Sequence, residues 1–212
     1  VYYKLKDLMG EKLYKAYERV DVYLCNVLAE SEYYGVRFDK EYVIKEADHM
    51  EKDLKILEET IYEYVGKMLL LKASASLNKP FTQEEFDSAT YRFMITGKDL
   101  LDVTYNLLGY PVKVLTNKGK PALNSYAIDK LLYYKNSTST NFLKSDILSS
   151  SSTADDKHVL ISAEKFNSYR YPLSYLLKEY RVLSKEYTGY YKPFKEIDTE
   201  GRIFKSYRTN NI

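Results

Sequence analysis

A chain of 212 residues with 45% hydrophobic content can bury a real core, in one or two domains. Its 32 basic and 30 acidic side chains nearly cancel, leaving +2, which excludes a broad basic footprint and requires any polyanion site to be local. A single cysteine, Cys25, excludes an internal disulfide framework and fits a reducing compartment.

No apolar run approaches the ~20 residues that span a bilayer, and VYYKLKDLMGEK lacks the apolar region of a signal peptide. No membrane partner and a cytoplasmic location (or the cytoplasm of a phage-infected host) are therefore expected. His49 and His158 stand far apart without cysteine partners, so they read as surface residues and no metal site is expected. Tyrosine is abundant, at 24 residues against no tryptophan. Tyrosines can stack on bases, but here they scatter over helix faces and loops alike, and a compositional bias toward Tyr and Lys is the plainer explanation.

From Glu11 to Tyr34, the apolar positions Leu13, Tyr17, Val20, Leu24, Val27 and Leu28 recur at helical steps. Gly35 suits the left-handed residue after such a helix. A short extended turn, GVRFD, follows, with Asp39 as an N-cap. The next helix is expected over Lys40 to Val65, with Ala47, Met50, Leu54, Leu57, Ile61 and Tyr64 on one face and Gly66 ending it. Residues 67–92 lose the period and read as a loop and a short helix opened by Thr82, where Glu85 completes a capping box.

TGKDLLDVTYNLLG predicts a helix closed by Gly109. YPVKVLTNKGKPALNS predicts a turn-rich connector, and NSYAIDKLLYY a further helix. The Ser/Thr-rich NSTSTNFLKSDILSSSSTADD reads as a mobile, partly disordered surface insertion. A last long helix opens near Pro172. On it Leu173, Leu176, Tyr180, Leu183, Tyr187 and Tyr190 share a sector of roughly 100°. Lys178, Arg181, Lys185, Thr188 and Lys192 share another, forming a row about 21 Å long at 1.5 Å per residue. Glu179 and Glu186 flank that row without entering it. Such a row can follow a phosphate backbone, although a charged helix stripe is more often simply solvated. After Pro193 the helical period is expected to stop, and RIFKSYR alternates as a strand, left open at the chain's end as though cut from a longer protein.

Several segments, in one order, resemble family A DNA polymerases. LYKAYERVDVYLCNVLAESEYYGVRFD resembles the segment that opens the polymerase part, and KDLKILEETIYEYVG the long helix after it. FMITGKDLLDVTYNLLGYPVKVLTNKGKPALN is similar to the thumb tip, LLKEYRVLSKEYTGYY to the second thumb helix, and DTEGRIFKSYRTNN to the strand leading into the palm. Departures are Ala122 and Leu123 in place of Ser-Thr, Tyr187 and Gly189 in place of Lys and Thr, and Phe204 in place of His.

The resemblance implies a mainly α fold: a long antiparallel helix pair with small tip helices and a short C-terminal β segment. It divides the chain into an N-terminal helix (1–38), a thumb-like subdomain (39–193) with insertions near 67–92 and 135–168, and the start of a palm strand (194–212). It also implies a grip on the backbone and minor groove of double-stranded primer–template DNA. The long helix would supply Lys178, Arg181, Ser184, Lys185 and Thr188. The tip would supply Lys118, Lys120, Asn124 and Ser125, and the strand Ser206 and Arg208.

Chemistry is expected elsewhere. The parent would be a DNA-directed DNA polymerase whose palm carboxylates hold Mg2+ and whose palm and fingers are this chain's partners. Within the chain no convergent carboxylate pair, nucleophile–base pair or metal-ligand spacing is visible, and TNKGKPA lacks the Walker A spacing. No catalytic residue or cofactor is therefore expected here. The alternative reading is a helical protein-interaction module with no nucleic-acid role. A freestanding hydrolase or transferase fits least.

Overall fold

The computed structural model describes residues 2–136, 142–150, 159–196 and 202–203, without the side chains of 2–7, 21, 22, 36 and 203. The chain divides into two compact units, residues 1–43 with 194–212 and residues 44–193. Helix dominates both, and none of the described helices is long and apolar enough to cross a membrane.

In the first unit, α1 (Tyr2–Tyr17) contains a break at Gly10, whose φ of 69° is left-handed. A π-helical turn, Glu18–Val22, joins it to α2 (Tyr23–Tyr34). Gly35 ends α2 with φ 68°, donating its N–H to the Ser31 carbonyl, as its position predicts. The expected apolar stripe is helical but uncovered: Leu13, Val20, Leu24 and Val27 are all exposed. Strand β1 (Val36–Arg37) pairs antiparallel with Arg202–Ile203, Val36 opposite Ile203 and Arg37 opposite Arg202. The strand expected to stay open therefore finds its partner within the same chain. Ser206 and Arg208 lie outside the described residues. Asp39 caps α3 (Lys40–Leu77), accepting a hydrogen bond from the Tyr42 N–H.

The second unit holds the core. On α3, Ala47, Leu54, Leu57, Ile61 and Tyr64 are buried, the face predicted from spacing. The helix does not stop at Gly66 but runs on to Leu77. Gly66 serves a different purpose: a Cβ there would lie 2.6 Å from the Thr90 backbone, and the neighbouring Tyr91 N–H donates to the Tyr62 carbonyl. Gly66 is the point where an extended strip of chain crosses the helix. The residues read as a loop from position 67 are thus helix first. The short α4 (Gln83–Ser88) follows with its capping box intact, Thr82 and Glu85 each bonding the other's backbone.

Helix α5 (Gly97–Leu101) passes into a π-helical turn, Asp102–Leu107, and Gly109 closes it in the left-handed region. The connector 110–124 narrows to a turn at Gly119, with Leu115 bridging Pro121. Asn124 then caps α6 (Ser125–Leu132) by accepting from the Ala127 N–H. Strands β2 (Ile147–Leu148) and β3 (Val159–Ile161) form an antiparallel pair, and α7 (Ala163–Ser168) leads to α8 (Pro172–Glu186). The helical path continues past Pro193, through a π turn at Tyr187–Tyr191 and a short helix at Lys192–Glu196.

The Ser/Thr-rich stretch is not a plain surface insertion where it is described. Phe142 packs edge-on against Tyr64, Asn167 holds the backbone of Phe142 and Leu143, and the buried carboxylate of Asp53 accepts from Ser149 and Ser150. Residues 137–141 and 151–158, with His158, lie outside the described residues. His49 is not a surface residue: its side chain is 12% exposed, with Nδ1 3.7 Å from Glu46.

Helices α3 and α8 run antiparallel, as two cross-links show. Tyr64 on α3 shares a hydrogen bond with Tyr110, whose hydroxyl accepts from the Leu173 N–H at the start of α8. Glu58, six residues earlier on α3, accepts from Tyr180, seven residues later on α8. Leu57, Ile61, Leu173 and Leu176 are fully buried in one cluster with Ile128 and Leu131 of α6.

Candidate nucleic-acid interface

Helix α8 changes character midway. Pro172 to Leu177 are all buried, whereas Lys178 and Lys185 are exposed and Arg181 and Ser184 half-buried. Alongside the second half lies α6, and between the two runs a groove of about 270 Å³ lined by Ser125, Asp129, Lys178, Arg181, Val182 and Lys185. Four of these residues were predicted as DNA contacts, and they come from two segments some fifty positions apart.

The groove is not purely cationic. Asp129 enters it from α6, and Lys178 Nζ donates to its Oδ1 at 2.8 Å. That hydrogen bond is the main reason the Lys178 ammonium is held above its ordinary pKa; partial burial opposes it. Helix α8 contributes no acid to its own row, as its sequence predicts, but the tertiary fold supplies one. The missed signal was the four-residue step from Ser125 to Asp129, which puts both on one face of α6.

Arg181 is committed to structure as well. Its Nη1 donates to the Leu123 carbonyl at 2.7 Å, while Tyr105 donates to the adjacent Ala122 carbonyl at 2.8 Å. Two consecutive carbonyls of the tip connector are thereby pinned to the core. Burial pulls Arg181 below its usual pKa, with nearby Tyr105 opposing the shift, yet a guanidinium stays charged and its remaining N–H donors can face the groove. Lys185 differs from both: among the described residues it makes no ion pair or hydrogen bond, and it stands exposed at the groove's edge.

The other predicted contacts separate from this groove. Thr188 sits in the π turn, where each residue advances through a smaller angle than in an α-helix, so the 100° count that aligned it with Lys185 no longer holds. Its hydroxyl donates to the Ser184 carbonyl at 2.6 Å. Lys118 and Lys120 flank the Gly119 turn, whose backbone is closed by bonds between Thr116 and Lys120, and both side chains are exposed. Asn124 spends its side-chain oxygen on the α6 cap.

Among the described residues no group of three or more His, Cys, Asp or Glu side chains could hold a metal ion. Compared with protein-family models, curated proteins and solved structures, the chain shows no match.

Proposed function

We propose that the α6–α8 groove holds the backbone of duplex DNA without reading its sequence, as the thumb of a family A DNA polymerase does, in support of template-directed synthesis. The observation that carries this reading is the convergence of Ser125 with Lys178, Arg181 and Lys185 along one open groove. Three cations against one carboxylate leave a local excess of positive charge that the whole-chain balance of +2 conceals. A hydroxyl at one end and free or partly free N–H donors along the other wall suit phosphate and sugar, the parts of DNA that position without specifying. The polymerase chemistry, its Mg2+ and its palm and fingers belong to the parent enzyme in this reading. A cytoplasmic setting goes with it, as does the single thiol.

Fluorescence anisotropy with a labelled hairpin duplex at several salt concentrations tests this. Binding should weaken steeply with salt, and Lys185→Ala should lower the slope of log K against log salt by about 0.9, one phosphate contact. Undetectable binding, or binding indifferent to salt, would count against it. The alternative, a protein-interaction helix pair, predicts instead a mass that rises with concentration and is unmoved by Lys185→Ala.

A further inference from the structure

The neighbouring face of α6 carries a second surface of different chemistry. Tyr126, Lys130 and Tyr133 follow one another at steps of four and three, so they share the face turned away from the buried Ala127, Ile128 and Leu131. Outward faces of short helices are normally charged and small; this one exposes Tyr126 by 60% and Tyr133 by 86%. Tyr134 stands beside them, edge-on to Tyr133 with ring centroids 6.2 Å apart. At 86% exposure most of the Tyr133 ring is open to solvent.

Among the described residues, cations accompany the rings of Tyr126 and Tyr134 but not that of Tyr133. Lys130 Nζ lies 4.5 Å from the Tyr126 centroid, and Lys113 Nζ lies 4.3 Å from that of Tyr134 while donating to its hydroxyl at 2.7 Å. The hydrogen bond from Lys113, with weaker fields from Lys130 and Arg170, lowers the Tyr134 pKa. A hollow of about 460 Å³ opens among these side chains, within the ordinary range for small-ligand sites. Among the described residues Asp129 is the only acid lining it, and that carboxylate, which also lines the groove, is paired with Lys178.

From this juxtaposition we propose that the Tyr126–Tyr133 face of α6 binds single-stranded nucleic acid, bases stacking on the open tyrosine rings and phosphates resting on Lys113 and Lys130. Stacking on aromatic rings is sequence-tolerant because every base has a π face, and flanking cations track the backbone. The two tyrosines are about 10 Å apart along the helix at 1.5 Å per residue, room for two or three nucleotides at roughly 3.4 Å per step. Charge complementarity selects this occupant over a protein surface, which would leave both lysines to be desolvated. The proposal goes beyond the duplex reading and does not rest on it: apart from Asp129, which lines both, the groove and the tyrosine face are formed by different residues.

The test is anisotropy of the full chain with labelled dT15 and, separately, U15, the two arms telling DNA from RNA. Tyr133→Ala should weaken binding about tenfold, the scale of losing one stacked base, whereas Tyr133→Phe should retain it. Lys130→Ala should lower the salt slope by about 0.7. Because Tyr133 is exposed, its truncation does not threaten the core. A readout independent of affinity is photocross-linking with a 5-iodouracil oligonucleotide, expected to label Tyr126, Tyr133 or Tyr134. No binding in either arm, equal binding by Tyr133→Ala, adducts confined to other peptides, or self-association abolished by Tyr133→Ala would each overturn the proposal.

Discussion

The two halves of α8 differ in what their side chains are for. From Pro172 to Leu177 every residue is buried, and even the first backbone N–H is tied to the core through the Tyr110 hydroxyl. From Lys178 onward the same helix faces a groove, and its cations range from fully engaged to free. Position on a charged stripe therefore does not make a group available: Lys178 is spent on Asp129 and Arg181 on Leu123, while Lys185 has no ion pair or hydrogen bond among the described residues.

Substitutions along the helix should reproduce that gradient. Leu176→Ala should cost the most, about 3 kcal/mol in urea denaturation, because it opens a cavity in a fully buried cluster. A loss below about 1 kcal/mol would mean that the first half is not the anchor described here. Arg181→Ala should come next at about 1–2 kcal/mol, leaving the carbonyl of the buried Leu123 without its donor. Its effect on duplex affinity would then be partly indirect, through a loosened tip connector.

Alkaline titration probes the cross-links between α8 and its neighbours. Burial raises Tyr110 well above the ordinary phenol pKa and pushes Tyr64 up to about 12. Burial together with the bond to Glu58 raises Tyr180 to about 12. Each folded-state pKa exceeds the unfolded value near 10, so the stabilisation is fully present below pH 10 and lost as pH rises toward 12. Melting temperature should fall across that window, and less steeply in Tyr180→Phe, which removes one of the titrating groups. Lys178→Ala should have the smallest effect on stability, well under 1 kcal/mol, because its ion pair with Asp129 is exposed.

Much of this architecture is legible in the sequence, and the failures have particular causes. The α3 face, the Thr82–Glu85 capping box, the Asn124 start of α6 and the Pro172 start of α8 follow from spacing and cap chemistry, which act within a few residues. Gly66 misleads because a glycine required by a crossing strand looks the same as one that ends a helix. Thr188 misleads because a π turn changes the helical period without any marker in composition. The Ser/Thr-rich stretch reads as loose on composition, yet Phe142 and the serines at 149 and 150 are held by partners nearly a hundred positions away or on other elements. Within the candidate site, the α8 row was readable from geometry on one helix, whereas Asp129 required knowing that α6 lies beside it.

Asp129 also provides the most direct test of whether the groove holds a polyanion. Asp129→Asn removes the one carboxylate that lines the groove among the described residues and frees Lys178, with little change in shape. Duplex affinity should then rise, and the slope of log K against log salt should steepen by about 0.9 as one more cation becomes available to phosphate. Unchanged or weaker binding by Asp129→Asn, in a protein that melts normally, would contradict a DNA-holding role for the groove.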